Sequence, residues 1–251
     1  MAISRPRKLT MMADSFYLPK DNPSKPRGED AHFISEVPQV IGVADGVGGW
    51  AKKGIDAGEY ARELMRNAAD AVKGRRPSDV DPKQVLLEAF LKTESPGSST
   101  ACIISLAGDI LRAANLGDSG FLVIRDGKID QILRRSNTDF NCPYQIGKTS
   151  SAVVSAVEEI VVGVERGNVV IVGTDGLFDN MFPEDIETTV GLCMRKEYTP
   201  DLTAWMLANG ARRKSLDKRT TSPFQVTAYE VGVQHSGGKY DDITVVAAYL
   251  V

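Results

Sequence analysis

Three apolar runs between residues 100 and 133 constrain the fold most, because tight turns separate them. The runs read TACIISL, LRAANLG and GFLVIRDGKIDQIL, and they are punctuated by Gly-Asp, Gly-Asp-Ser-Gly and Asp-Gly turns. Apolar segments between such turns are typical of antiparallel strands joined by hairpins. The pattern predicts an antiparallel meander in the middle of the chain.

Helical periodicity flanks these predicted strands on both sides. Residues 56 to 73 and 80 to 93 carry apolar side chains at helical spacing, and residues 183 to 217 return to it. A run at 39 to 45 and the final run, DDITVVAAYLV, predict buried strands. Helices packed outside antiparallel sheets, an α+β fold, fit this order better than a doubly wound βαβ sheet does.

Charge and cysteine content exclude several classes of protein. Thirty Lys and Arg against 33 Asp and Glu give a formal charge of -3, which argues against a nucleic-acid-binding protein. The three cysteines form no CxxC pair and the two histidines are far apart in sequence, so a structural zinc site is not expected. No apolar run reaches the roughly 18 residues that a transmembrane segment needs.

Four aspartates share a setting that ordinary surface acids lack, because each lies where a predicted buried strand meets a tight turn. They are Asp45, Asp118, Asp175 and Asp241, the last followed directly by Asp242. Any one of them can be a turn residue whose side chain bonds the local backbone. Four carboxylates at one rim would instead repel one another unless a cation lay between them. Hard oxygen ligands of this kind suit Mg²⁺ or Mn²⁺ rather than zinc or copper.

Six motifs, in order along the chain, resemble those of the protein phosphatase 2C (PPM) family. They are RGEDAHF, VADGVGGW, GSSTA, NLGDSG, GTDGLFDN and GGKYDDITVV, and they extend from residue 27 to residue 246. The resemblance implies a four-layer αββα sandwich, with two antiparallel sheets flanked by helices, and the activity of a metal-dependent protein serine/threonine phosphatase. The motifs are most similar to an organellar branch, so a plastid or mitochondrion is the expected location and the cytoplasm is the alternative.

The resemblance also implies which residues hold two Mn²⁺ or Mg²⁺ ions. Asp45 would bridge both ions and so act directly in catalysis, because the attacking water is shared between them. Asp175 and Asp241 would complete the first ion site. Glu29 and the backbone carbonyl of Gly46 would hold the second ion.

Further carboxylates have supporting roles in the family pattern. Asp118, together with Asp175, matches the position of a weaker third ion. Asp30 and Asp242 resemble carboxylates that orient ligands and waters without binding the ions themselves. Water then attacks the phosphoryl group directly, so no phosphoenzyme and no histidine or cysteine nucleophile is expected.

Two positions depart from the family pattern. Many members carry a histidine directly after the bridging Asp-Gly, where it is held to protonate the leaving oxygen, and this chain has Val47. We hypothesise that a metal-bound water supplies that proton. The family's phosphate-binding arginine lies four residues before the glutamate of the first motif, where this chain has Lys25. We favour Arg27 as the catalytic cation, because only arginine offers a bidentate fork to a phosphate.

One catalytic domain, residues 27 to 251, is expected after an N-terminal extension of residues 1 to 26, and the chain is expected to be a monomer. The predicted partners are phosphoproteins carrying phosphoserine or phosphothreonine, and residues 134 to 156 and 212 to 240 are the candidates for selecting them. One alternative is a catalytically impaired pseudophosphatase that acts as a binding or regulatory module. Another is a metal-dependent hydrolase of small phosphoesters.

Overall fold

The computed structural model describes residues 8–132, 137–147 and 153–251. In chain order its strands are β1 (Met11–Leu18), β2 (Asp30–Ser35), β3 (Val40–Asp45), β4 (Ser98–Ser99), β5 (Ala101–Ala107), β6 (Ile110–Leu116), β7 (Gly120–Arg125), β8 (Lys128–Ile132), β9 (Asn137–Asp139), β10 (Cys142–Pro143), β11 (Ile146–Gly147), β12 (Glu158–Gly163), β13 (Val169–Gly173) and β14 (Ile243–Leu250). Its α-helices are α1 (Ala57–Val72), α2 (Pro82–Lys92), α3 (Val153–Ala156), α4 (Asp175–Phe178), α5 (Pro183–Arg195), α6 (Pro200–Leu216) and α7 (Pro223–Glu230). Within the described ranges, no helix is both long and apolar enough to cross a membrane.

Two five-stranded sheets form the centre of the molecule. The first sheet has the strand order β1-β14-β13-β7-β8, and the second has the order β12-β6-β5-β3-β2. Every pair of neighbours in both sheets is antiparallel. The short strands β4 and β11 pair with each other, as do β9 and β10.

The two sheets pack face to face, and helices cover both outer faces. In β3, Ile41 and Val43 pack in the core between the sheets, whereas Val40 and Ala44 pack in the core under α1 and α2. This alternation follows from the period of two along a strand. Helices α4, α5 and α6 cover the outer face of the first sheet, with a third core beneath them. The predicted four-layer αββα sandwich is confirmed.

The predicted meander over residues 100 to 133 is only partly correct. Its four strands form two hairpins in different sheets, because β5 and β6 lie in the second sheet and β7 and β8 lie in the first. The crossing falls at residues 117 to 119, between Leu116 and Gly120. Apolar runs and turn residues predict each hairpin, but they do not say to which sheet it belongs.

The folded domain begins at Met11 or earlier, and not at residue 27 as predicted. Strand β1 lies inside the predicted N-terminal extension, yet it pairs with β14 along its whole length, from Met11 opposite Leu250 to Leu18 opposite Ile243. Most of its side chains are only half-buried, since it is an edge strand. The polar and apolar residues of this segment therefore do not alternate clearly enough to predict a strand. Residues 1 to 7 of that extension lie outside the described residues.

A fully buried tyrosine and a partly buried one provide a matched test of packing in the two helical layers. Tyr60 of α1 is fully buried, and its hydroxyl has no hydrogen-bond partner among the described residues. Tyr249 of β14 shares a hydrogen bond of 2.7 Å with Thr203. We expect Tyr60→Phe to raise the free energy of unfolding by about 1 kcal/mol and Tyr249→Phe to lower it by a similar amount. Urea denaturation of both variants measures this, and a loss of stability in Tyr60→Phe would contradict it.

Candidate metal centre

A cleft of about 250 Å³ opens at one end of the sandwich, where strands of both sheets begin or end. The residues that line it are Lys20, Glu29, Asp45, Gly46, Val47, Gly48, Gly49, Thr100, Asp118, Asn141, Pro143, Asp175, Lys239, Asp241 and Asp242. Carboxylates and glycines dominate this lining, and neither histidine of the chain belongs to it.

The structure brings the five predicted carboxylate ligands to this one cleft from different elements. Asp45 is the last residue of β3, and Asp175 is the first residue of α4, two residues after the end of β13. Glu29 directly precedes β2, and Asp241 lies two residues before β14. Asp118 lies in the crossing between the two sheets. Antiparallel pairing within each sheet and face-to-face packing place these strand ends at the same edge of the molecule.

Gly46 lies against the backbone of two other segments. Its N–H donates a hydrogen bond to the carbonyl of Glu29 at 3.0 Å. A Cβ at this position would approach the carbonyl oxygen of Ala57 to 2.6 Å and that of Glu29 to 2.8 Å. Only glycine fits this close approach, which holds residue 46 at the floor of the cleft.

The carboxylates of the cleft oppose one another's ionisation. Burial raises the pKa of Asp45 well above its usual value, and four neighbouring carboxylates raise it further. They are Asp175, Asp30, Asp241 and Asp118. Burial also raises the pKa of Asp175, although the charge of Lys239 partly offsets this. A cation among these groups would relieve the repulsion.

Asp30 connects the two sheets beneath the cleft. Its Oδ2 accepts hydrogen bonds from the hydroxyls of Thr174 at 2.8 Å and Thr244 at 2.7 Å. Thr174 directly precedes Asp175, and Asp30 itself pairs with Asp45 across β2 and β3. Burial raises the pKa of Asp30. Asp30 is not among the residues that line the cleft. It fixes the backbone that carries Asp45 and Asp175, which do line it.

Asp242 connects the start of β14 to the N-terminal segment. Its Oδ2 accepts the N–H of Glu29 at 3.1 Å. Its Oδ1 accepts the N–H of Lys20 at 2.6 Å and the hydroxyl of Tyr17 at 3.3 Å. Residues 17 to 20 lie in the segment predicted as an extension, so that segment also helps to build the cleft.

Two lysines reach the carboxylates of Asp175 and Asp241. The ammonium of Lys239 contacts Asp175, and it lies 2.9 Å from Asp179 Oδ2 and 3.2 Å from Asp241 Oδ2. Lys20 Nζ lies 2.6 Å from Asp241 Oδ1. Burial lowers the pKa of each lysine, but the neighbouring carboxylates outweigh burial and raise it.

The structure does not bring Arg27 to the cleft, which corrects the preference for Arg27 as the phosphate-binding cation. Its side chain is exposed and lines a different pocket, beside two arginines of α1. The chain turns over residues 25 to 28, where the N–H of Gly28 donates to the carbonyl of Lys25 at 2.9 Å, and this turn directs Arg27 away. Lys25 Nζ instead lies 2.6 Å from Glu29 Oε1.

Known proteins of similar sequence decide the family. The chain is 44% identical over 245 residues to probable protein phosphatase 2C 55 of Arabidopsis thaliana, a match that covers 97% of this chain and 52% of that protein. It is 36% identical over 252 residues to putative protein phosphatase 2C 24 of Oryza sativa subsp. japonica, covering 98% of this chain and 78% of that protein. The chain belongs to the protein phosphatase 2C family.

Solved structures agree with this membership. The X-ray structure of the photosystem II phosphatase PBCP has a TM-score of 0.85 and 30% sequence identity, and the match covers 95% of this chain and 98% of that chain. The catalytic domain of the serine threonine protein phosphatase PstP, in complex with 2 manganese ions, shares the fold at a TM-score of 0.68 and 17% identity, covering 97% and 99%. No protein-family model matches the chain. The chain spans about half the length of the Arabidopsis relative, 52%.

The donors of this protein phosphatase 2C cleft fit a hard divalent cation. They are carboxylate and carbonyl oxygens, and Asp175 Oδ1 is buried without a hydrogen-bond partner among the described residues. Within the same ranges, no three His, Cys, Asp or Glu side chains already surround a common point at ligand distances. The ammonium groups of Lys20 and Lys239 lie among the carboxylates instead. An ion bound to Asp175 and Asp241 would take over these contacts.

Several residues in the cleft or in the pocket beside it were not predicted as site residues. Lys239 and Asp179 both lie inside quoted family motifs, GGKYDDITVV and GTDGLFDN, so their proximity to Asp241 and Asp175 in sequence was a usable signal. Lys20 lies outside every motif and could not have been found this way. Asn141 lines the cleft from the first predicted substrate-selecting segment, 134 to 156. Residues 134 to 136 and 148 to 152 of that segment lie outside the described residues.

Proposed function

We propose that this chain is a metal-dependent protein phosphatase that hydrolyses phosphoserine and phosphothreonine by direct attack of water. One observation carries the proposal: the carboxylates predicted as ligands, distant in sequence, converge on one cleft. Relatives named protein phosphatase 2C support the reaction class. The pseudophosphatase alternative has no support, because Glu29, Asp45, Asp175 and Asp241 are all present and all reach the cleft.

We propose two Mn²⁺ or Mg²⁺ ions as the cofactor, held by Asp45, Asp175 and Asp241 on one side and by Asp45, Glu29 and the Gly46 carbonyl on the other. When bound, the ions lower the pKa of water toward neutrality and so supply the nucleophile. The structure of PstP, which has the same fold and is in complex with 2 manganese ions, supports the proposal of two ions. A third, weaker ion near Asp118 and Asp175 is also proposed, by resemblance to the family.

The supporting residues have distinct tasks in this mechanism. Asp30 and Asp242 do not touch substrate but hold the segments that carry Asp175 and Glu29. Their hydrogen bonds from hydroxyl and amide groups fix the carboxylates before substrate arrives, which lowers the cost of organising the site. The glycines that line the cleft leave room for the phosphoryl group.

Phosphate release from a phosphothreonine peptide, with and without metal, tests the proposed function. We expect release with Mn²⁺ or Mg²⁺, no release after treatment with a chelator, and recovery when the metal is restored. A parallel assay with small sugar phosphates separates a protein phosphatase from a hydrolase of small phosphoesters. Release from peptide that is unaffected by chelation would contradict the metal mechanism.

Val47 offers a test of leaving-group protonation. Its side chain lines the cleft, and its N–H is held by the carbonyl of Ser98 at 3.0 Å. A histidine at position 47 would raise the rate most for substrates whose leaving group needs a proton. We expect Val47→His to change kcat little on an aryl phosphate and to raise it on a phosphoserine peptide by no more than about 10²-fold. A large gain on the aryl phosphate would contradict the account, because that leaving group departs without protonation.

The proposed substrates are phosphoproteins, and the proposed location is a plastid, with a mitochondrion as the alternative. The likeness to a photosystem II phosphatase supports the plastid. Both segments predicted to select substrates supply residues to the cleft or to the pocket that adjoins it, which supports their proposed role. Phosphoproteomic comparison of isolated organelles with and without the active protein would identify the substrate.

A further inference from the structure

The backbone of Lys239 is held on both sides by one buried amide. The Lys239 N–H donates to Asn180 Oδ1 at 2.9 Å, and Asn180 Nδ2 donates to the Lys239 carbonyl at 2.9 Å. The same Nδ2 donates to the carbonyl of Gly176 at 2.9 Å. Asn180 is 0% exposed. These bonds fix the point from which the lysine side chain starts, relative to the segment that carries Asp175.

The side chain of Lys239 runs from this point into the carboxylates of the cleft. It is 15% exposed, and its ammonium contacts Asp175, Asp179 and Asp241 together. The ring of Phe224 lies 5.2 Å from the same ammonium, at cation–π distance. Ion pairs shielded from water in this way are stronger than exposed ones. The side chain of Lys20, by comparison, is 32% exposed, and its ammonium forms an ion pair with Asp241 at 2.6 Å.

We propose that Lys239 is a built-in counter-cation of the metal centre, which holds Asp175, Asp179 and Asp241 in place in the metal-free protein and competes with a divalent ion for Asp175 and Asp241. The inference rests on the proposed function, because Asp175 and Asp241 are the ligands proposed for one of the ions. An ammonium and a metal ion cannot use the same carboxylate oxygens without repelling each other.

Competition between Lys239 and the metal ion has two opposite consequences: Lys239 raises the stability of the metal-free protein and lowers its affinity for metal. The metal-free protein is more stable with Lys239 than without it, because the lysine compensates carboxylates that would otherwise repel one another. Metal binding is weaker with Lys239 than without it, because each ion must displace the ammonium. Lys239 is therefore a positioning residue that sets how much metal the protein needs.

Calorimetric titration of metal-free protein with Mn²⁺, together with thermal unfolding with and without Mn²⁺, tests this proposal. For Lys239→Met we expect a lower melting temperature without metal, an affinity for Mn²⁺ at least ~10-fold higher, and a larger rise in melting temperature on adding Mn²⁺. If the metal-free variant is unfolded, its affinity is measured from the Mn²⁺-loaded protein by competition with a chelator.

Two further variants serve as controls. Lys239→Arg keeps the charge and should bind Mn²⁺ nearly as the unaltered chain does. Lys214→Met removes another partly buried ion pair, with Asp185 at 2.6 Å, which does not line the cleft. Its affinity for Mn²⁺ should therefore be unchanged.

An unchanged or lower affinity for Mn²⁺ in Lys239→Met would overturn the proposal. A raised KM for an aryl phosphate with unchanged Mn²⁺ affinity would also overturn it and would assign Lys239 to the substrate phosphate. If the unaltered chain binds no Mn²⁺ at all, the proposed function itself fails. Equal binding by the unaltered chain and the variant defeats only the inference about Lys239.

Discussion

Asp45→Asn should lower the rate of phosphate release from a phosphothreonine peptide by about 10³-fold or more. Asparagine keeps the shape of the side chain but removes the charge shared by both proposed ions. Burial and four neighbouring carboxylates also raise the pKa of Asp45. Steady-state kinetics at saturating Mn²⁺ measures the loss.

The stability of the Asp45→Asn variant without metal distinguishes a loss of catalytic function from misfolding. Because burial and neighbouring charges raise the pKa of Asp45, its ionised form opposes folding at neutral pH in the absence of metal. We expect Asp45→Asn to be at least as stable as the unaltered chain in chelator, and to gain less stability when Mn²⁺ is added. Asp70→Asn, at an exposed position of α1, is the matched control and should keep full activity. Near-normal activity of Asp45→Asn would contradict the proposed role of Asp45.

Gly176→Ala should be the most destabilising of the small substitutions near the cleft. A Cβ on Gly176 would overlap the carbonyl oxygen of Asp242 and approach Ile243 Cγ1 to 3.0 Å. The clash is with backbone, so it cannot be relieved by a change of rotamer, and the start of β14 must move. We expect a loss of about 3 kcal/mol in the free energy of unfolding. Activity should fall as well, since Asp241 moves relative to Asp175.

Gly163→Ala is the control for that substitution. Gly163 ends the edge strand β12, and a Cβ there would meet no atom within 4 Å. Alanine at this position lowers the conformational entropy of the unfolded chain, so we expect a small gain of about 0.5 kcal/mol. Urea denaturation of both variants in chelator measures the difference. Equal stability of the two variants would show that the segments at Gly176 and Asp242 are not packed as described.

Local sequence patterns were sufficient to predict the helices and strands whose bounds depend on their own residues. The helix predicted over 56 to 73 is Ala57–Val72, and the strand predicted over 39 to 45 is Val40–Asp45. The four aspartates Asp45, Asp118, Asp175 and Asp241 were predictable for a similar reason, whereas Glu29 was identified only by the resemblance to the family. Asp45 ends a buried strand and the other three lie within two residues of one, so the local position of each depends on that strand alone.

Contacts between distant segments were not predictable. β1 is an edge strand with half-buried side chains, so its sequence carries no strong alternation. The assignment of β7 to the first sheet depends on its pairing with β13, which no local pattern encodes. The positions of Arg27 and Lys239 depend on a tight turn and on the amide of Asn180, respectively. Arg27 was favoured for its bidentate guanidinium, and Lys239 was not predicted as a site residue.

Anomalous diffraction at the manganese edge, from crystals of this chain grown with MnCl₂, tests whether two ions bind at Asp45. We expect two strong peaks that share Asp45, one also bound by Asp175 and Asp241 and the other also bound by Glu29 and the Gly46 carbonyl. The Lys239 ammonium should have left Asp175 and Asp241 in the same crystals. Crystals of active protein that show no manganese peak at Asp45 would contradict the account.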